Sequence, residues 1–334
     1  MNAQSPRFSF TSDTVTLKKP DHSKESHFKV YKGAYTSIHQ TLDKKTILGS
    51  YAQNNGEFYF IPILPFQKNN RYTVVYENEV YPFTIDLDVS YKHLQITEVY
   101  PNSDTLPSNF LKWYIQFSKP ISPSKIYDHI SLINNSDSTT VDRALLPLET
   151  PLLSDDGTLL TLWIEPGRQK RDLGPNERLG EVLIPGKSYT LIIDEDLKDR
   201  QGIAMKTNFK HSFSVSDPDR KKPSITSWKL QLPSANTKDP IILEYQEQLD
   251  YGSLQNTLQI VDTSGNRIAG KFTIAANRKN IYFTPLNIWN KNTYVLKCKP
   301  IIEDLSGNNL ERLFDQDITA KRTPPILERS FSIE

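Results

Sequence analysis

One short pattern occurs three times along the chain and limits what it can fold into. Phe58, Phe60 and Pro62 stand in FYFIP, and Tyr72 follows in NRYTVVY. Leu162, Ile164 and Pro166 stand in LTLWIEP, and Tyr189 follows in KSYTLII. Ile281, Phe283 and Pro285 stand in IYFTP, and Tyr294 follows in NTYVLK. Each copy alternates apolar and polar residues and stops at a proline, which has no N–H to extend a sheet. Each copy is later closed by a second signature: Phe83-Thr84-Ile85, Phe213-Ser214-Val215 and Phe331-Ser332-Ile333. Three copies in the same order, at domain-sized spacing, predict a repeated architecture. Short strands with turn signals about every ten residues predict β-sandwiches. The tyrosine has a structural role in such a fold, because its hydroxyl can bond back across the corner while its ring is buried.

Composition agrees. Tyr 16 and Phe 15 against Met 2 favour pleated surfaces over helices. Forty basic and 39 acidic residues leave a formal charge of +1, so no global field draws nucleic acid or anionic lipid. A single cysteine, Cys298, excludes an intramolecular disulfide and a cysteine-based zinc cluster. Its place in YVLKCK reads as core. The chain shows no apolar signal-peptide region at MNAQSPRFSF and no run of 18 apolar residues, so no membrane span is expected.

Three units follow. Residues 1–92 hold strands in RFSF, TVTL, FKVYKGAY, FYFIP, RYTVVY and VYPFTI, with KKPDHSKESH as a loop and Glu77-Asn78-Glu79 as a hairpin. Residues 95–216 hold strands in LQITEVYP, LKWYIQF, SLIN, DRALLPL, LLTLWIEP, SYTLIID and KHSFSV. Leu111, Trp113, Ile115 and Phe117 face one side. SDPDRKKPS reads as a linker or boundary turn. Residues 222–334 hold ITSWKL, PIILEYQ, TLQIVD, GKFTIAA, IYFTP, TYVLKCKPI and RSFSI, with a turn at 264–266.

The chain resembles bacterial immunoglobulin-like domains of the type found in SbsA-group S-layer proteins. Ile281-Tyr282-Phe283-Thr284-Pro285, the Tyr294 strand and Asp304-Leu305-Ser306-Gly307-Asn308 carry the likeness in the third unit. Pro101 and Ser118-Lys119-Pro120-Ile121 resemble the family's opening strands in the second unit, where the late loop is reduced to Asp199-Arg200-Gln201-Gly202. The first unit matches only in its last third. The resemblance implies an all-β chain of three Ig-like β-sandwiches in tandem. It implies an extracytoplasmic place, in the periplasm or at the cell surface. It implies a non-enzymatic role as spacer, adhesion or partner-binding module, with protein or glycan partners and no cofactor.

The motifs GxSxG, HExxH, GxxxxGK, GxGxxG and CxxC are absent. The departure that invites a binding role is an insertion at 167–186. The motif proline and the tyrosine are ten residues apart in the first copy, nine in the third and 23 in the second. Arg168, Lys170, Arg171, Glu177 and Arg178 stand in it, and arginines there could hold a carboxylate, sulfate or phosphate. The competing expectation is a loop stapled by its own salt bridges or packed on a neighbouring unit. Trp163 alternates out of phase with Leu162 and Ile164, so it is either exposed for sugar stacking or buried beneath the insertion. A carbohydrate-binding protein requires such an exposed aromatic face. An enzyme of unrecognised type requires Arg168, Lys170, Glu177 and Asp194 to converge in a cleft. The run Asp194, Glu195, Asp196 and Asp199 lacks an EF-hand pattern and reads as a solvated loop. The six histidines are scattered, with only His22 and His27 sharing a loop.

Overall fold

A computed structural model describes residues 7–18, 28–88, 90–170, 174–245, 247–254, 257–275, 280–315 and 324–334. The protein is all-β: three Ig-like sandwiches in tandem, each of two sheets. Helices among the described residues are single turns or little more, the longest being Gly174–Leu179. None is long and apolar enough to cross a membrane. His22 and His27 lie outside the described residues.

The chain divides into two compact units. The first comprises residues 1–94 and 196–206, and the second 95–195 and 207–334. In the first, one sheet runs Phe8–Phe10, Val15–Leu17, Glu57–Pro62, Gly49–Asn54, and the other runs Lys29–Lys32, Arg71–Tyr76, Glu79–Thr84. Aromatic rings fill the space between them, Phe8, Phe28, Phe60, Phe66, Tyr72 and Phe83 among them. The expected hairpin at Glu77-Asn78 is present with both residues at positive φ, 50° and 65°. That is the twist-matching two-residue turn. Gly49–Asn54 is a strand that the apolar pattern does not announce, because all six residues are exposed. Its signal was the turn, Asn55-Gly56, which has φ values of 49° and 76°.

The second unit holds the other two sandwiches. The first of these pairs a sheet of Leu152–Leu153, Leu159–Trp163, Lys112–Phe117 and Ile96–Tyr100 with one of Thr139–Thr140, Ile130–Asn134, Ser188–Ile193, Phe209–Ser216 and Thr105–Pro107. Leu111, Trp113, Ile115 and Phe117 are all buried, as their alternation predicts. DRALLPL is not the expected strand. Arg143 has φ 45°, Pro147 lacks a donor, and only Leu145 bridges, to Ile164. The last sandwich pairs Lys229–Gln231, Ile241–Glu244, Asn280–Pro285 and Gly270–Ile274 with Leu258–Asp262, Asn292–Cys298 and Glu328–Ile333. Its core includes Trp228, Trp289, Phe283, Tyr294 and Cys298.

The repeated tyrosine forms the same corner three times. Tyr72 accepts from Gln67 N at 2.8 Å, Tyr189 accepts from Ile184 N at 3.2 Å, and Tyr294 donates to Asn290 O at 3.0 Å. Each hydroxyl thus returns to backbone four or five residues upstream. Each tyrosine is the cross-strand partner of the closing phenylalanine: Tyr72 with Phe83, Tyr189 with Phe213, Tyr294 with Phe331. The rings stack at interplanar angles of 27°, 25° and 24°. A buried ring and a satisfied hydroxyl need a fixed backbone around them, so the motif records a packing requirement.

Candidate functional site

The densest buried polar chemistry lies inside the second unit, where its two sandwiches meet. It is built on the Asp304-Leu305-Ser306-Gly307-Asn308 loop. Asp304 Oδ1 accepts from Ser306 N at 2.8 Å and Asn308 N at 3.0 Å, and Oδ2 accepts from Asn308 Nδ2 at 2.8 Å. Gly307 takes φ 75°, and a Cβ there would overlap Leu111 Cδ1. Glycine is therefore required twice over, by conformation and by contact. The same turn recurs at Asp262, which accepts from Ser264 N and Asn266 N, with Gly265 at φ 84°. It recurs at Asp199, which accepts from Gln201 N and Ile203 N, with Gly202 at φ 81°. The reduced sequence of the second copy thus keeps the backbone turn, while Ile203 lacks the amide that Asn308 and Asn266 offer to the second carboxylate oxygen.

The loop joins the sandwiches through backbone. Leu111 N donates to Leu305 O at 3.1 Å. Ser306 Oγ donates to Asn109 Oδ1 at 2.8 Å. Asn109 clasps the connecting segment from both sides: its Nδ2 donates to Asp219 O at 2.6 Å, and its Oδ1 accepts from Asp219 N at 2.8 Å. Asn308 Nδ2 adds a bond to the same carbonyl at 3.1 Å. The charged linker expected at SDPDRKKPS is therefore held at Asp219 on both backbone faces.

A charge cluster sits beside this clasp. Lys112 Nζ lies 2.9 Å from Glu303 Oε2 and 3.5 Å from Asp250 Oδ1. Asp250 is 2% exposed and also accepts from Tyr114 OH at 3.0 Å and Ser253 N at 2.7 Å. Burial pushes the Asp250 carboxyl up, and Lys112 pulls it back down. Tyr114 is raised by the same burial and by Asp250. Tyr100 and Tyr251 stack across the junction, with centroids 4.2 Å apart and planes within 9°.

Asp219, Glu247 and Asp304 bring carboxylate oxygens within 4.8 Å of one another. Among the described residues they are the only trio of acidic, histidine or cysteine side chains close enough to share a cation. Burial favours a proton there. The Asp304 carboxyl is pushed up to about 7, mainly by desolvation and further by Asp219. Glu247 is raised by burial and then by Asp219. Like charges at this spacing cannot all ionise without cost.

The residues expected to bind a ligand are placed as follows. Arg168 is 5% exposed, and its guanidinium is consumed by backbone. Nε donates to Gly180 O; Nη1 donates to Asp142 O and, at 3.5 Å, Arg143 O; Nη2 donates to Leu179 O and Glu181 O. Those acceptors include the carbonyls that end the short helix Gly174–Leu179, which lack intrahelical partners. These bonds make Arg168 a staple of the insertion. Among the described residues the staple works through carbonyls. Lys170 Nζ sits 4.5 Å from the centroid of the Phe314 ring in the last sandwich. Gln169 Nε2 donates to Phe110 O at 3.0 Å. Glu177 and Arg178 are exposed, and Arg171 lies outside the described residues. The insertion does not gather these groups into one cleft: Arg168 and Lys170 are engaged by different partners, and Asp194 pairs with His129 at 2.9 Å.

Trp113, Trp228 and Trp289 are at most 1% exposed. Trp163 is half-buried beneath Lys112 Nζ, 4.7 Å from its ring centroid. The acidic run also needs correction at one position. Asp199 is 1% exposed and bonded to Tyr91 OH, so it is not a solvated group. Asp250, Tyr114 and Lys112 were missed by the sequence reading, because partners 136 and 138 residues apart leave no local pattern.

No family model matches the chain, and no curated protein matches it. Among solved structures, the N-terminal part of the bacterial S-layer protein SbsC is 14% identical, with a TM-score of 0.25 over 62% of this chain and 41% of that one. Native alpha-2-macroglobulin from Escherichia coli, domains MG0-NIE-MG1, is 11% identical, with a TM-score of 0.24 over 72% of each chain. The N-terminal eight Ig domains of Down Syndrome Cell Adhesion Molecule are 12% identical, with a TM-score of 0.20 over 96% of this chain and 38% of that one. At these values the likenesses carry no weight for function.

Proposed function

We propose that the chain is a non-enzymatic, extracytoplasmic Ig-like module of the SbsA type. In this reading it serves as a structural spacer that sets the angle between successive sandwiches and presents them to protein or glycan partners at the cell surface. One observation carries the reading: polar groups of the second unit that would suit ligand binding are used within it, Arg168 to hold the insertion and Lys112 and Asn109 to fix the joint. Arg168 is consumed by carbonyls, and Lys112 is locked between two carboxylates. Asn109 is consumed by the connecting segment. A spacer needs such a joint, because free linkers transmit no orientation.

The carbohydrate-binding alternative needs exposed aromatic faces, and burial of Trp113, Trp228 and Trp289 weighs against it. Hydrogen exchange on the intact chain tests the spacer reading. The Leu111 amide, which crosses the joint, should exchange about as slowly as strand amides in the flanking sheets. Exchange at the rate of an exposed loop would remove the basis for a fixed joint.

A further inference from the structure

The last sandwich has an open side. Gly270–Ile274 ends one sheet and Leu258–Asp262 ends the other. Between them lies a groove of about 900 Å³. Its lining includes the apolar residues Leu254, Leu258, Phe272, Ile274 and Cys298, together with Tyr251.

Two properties of the groove define what fits it. The first is backbone. Ala275 N donates to Asn280 O and Leu286 N donates to Ala269 O, so the odd-numbered residues of this strand face its partner. In an antiparallel ladder the alternate residues face the other way. Gly270, Phe272 and Ile274 therefore present N–H and C=O groups to a side that no described strand occupies. The second property is charge. The lining holds Arg267, Lys271, Lys297 and Lys299 and no carboxylate. Lys297 is paired with Glu328 at 2.8 Å, whereas Arg267, Lys271 and Lys299 make no ion pair among the described residues. Glu98 accepts from the hydroxyl of Tyr100, which also lines the groove.

We propose that this groove binds an acidic peptide in extended conformation, which adds as a strand to the free edge of Gly270–Ile274. Main-chain bonds to an edge strand supply affinity and alternate side chains supply selectivity. Here one face of the peptide meets Phe272 and Ile274, and acidic side chains meet Arg267, Lys271 and Lys299. The inference goes beyond the spacer reading and does not depend on it. The spacer role rests on the joint, and this one rests on an edge of the last sandwich.

The test is a titration of the intact chain into a fluorescein-labelled octapeptide of alternating Glu and Val, followed by anisotropy. Saturable binding is expected in the range of about 10–100 μM at low salt, weakened by added salt. The double substitution Arg267→Glu, Lys271→Glu should weaken it about tenfold. Both residues are exposed, so tryptophan fluorescence should report an intact fold. If that variant fails to fold, Lys299→Glu alone should weaken binding about threefold. A peptide with alternate amides N-methylated should not bind. The proposal is overturned by any of four results. These are no saturation at 1 mM, equal affinity for the N-methylated peptide, equally strong competition by a sulfated oligosaccharide, or dimerisation of the chain that blocks the peptide.

Discussion

Replacing Lys112 by Met tests how the two sandwiches of the second unit are locked. At an effective dielectric constant of about 20, the Lys112 charge gains roughly 6 kcal/mol from Glu303 at 2.9 Å and roughly 5 from Asp250 at 3.5 Å. Desolvation offsets most of that, several kcal/mol for each buried ion. What the substitution costs is set by what it leaves behind: Asp250, 2% exposed, beside Glu303 with only Tyr114 OH and Ser253 N as donors. Removing one partner of such a cluster costs about 3–5 kcal/mol, and the open side of Glu303 places the loss near the lower end, about 3. Asp250, already raised by burial, loses the cation that pulled it down, so it takes up a proton. A raised carboxyl favours the folded state at low pH and loses that contribution as pH rises. The penalty for Lys112→Met should therefore grow as pH rises. Urea unfolding followed by tryptophan fluorescence reads this selectively, because all four tryptophans lie between 113 and 289, in the second unit. The double variant Lys112→Met, Asp250→Asn should recover most of the loss. A loss under about 0.5 kcal/mol, or strict additivity in the double variant, would refute the reasoning.

Three further outcomes are expected. Asp304 holds a proton in the folded state up to about pH 7, while its unfolded value is near 3.8. Its contribution is complete below about pH 4 and is lost as pH rises through 7, at no more than about 1.4 kcal/mol per pH unit. Asp304→Asn should flatten that slope in a pH series of unfolding curves. Gly307→Ala forces φ 75° on a side chain that meets Leu111, so it should cost about 1–3 kcal/mol and speed proteolysis within 217–224. Tyr72→Phe, Tyr189→Phe and Tyr294→Phe each remove one corner bond and leave the stacked ring in place. Each should cost about 1 kcal/mol, and a spread above about 2 would show that the three corners are not equivalent.

The fold was legible where periodicity and sterics act locally. The proline-ended strands, their tyrosines and the closing phenylalanines recur because each sandwich must bury the same ring and satisfy the same hydroxyl. Gly49–Asn54 escaped because an exposed strand shows no alternation, although Asn55-Gly56 marked its hairpin. DRALLPL misled because its apolar residues suggested a strand while the carbonyls of Asp142 and Arg143 serve Arg168 instead. Arg168 itself shows the limit of residue type as a guide. An arginine in a polar insertion reads as an anion ligand, yet five carbonyls turned toward one buried guanidinium make it structural. The Asp-x-x-Gly turn was visible as a turn, but its burial at the joint was not. That depends on Asn109 and Leu111, nearly two hundred residues away. The groove on the last sandwich was equally hidden, since an edge strand is defined by the neighbour it lacks.

The central claim is that the two sandwiches of the second unit form one rigid body. Pulsed electron–electron resonance between spin labels on Ser136→Cys and Thr263→Cys measures it most directly. Both positions are exposed. The native Cys298 is buried with its thiol pushed up to about 12, so it should stay unlabelled. A single narrow distance distribution, unchanged by salt and broadened by Lys112→Met, is the predicted result. A broad distribution in the native chain would contradict the account.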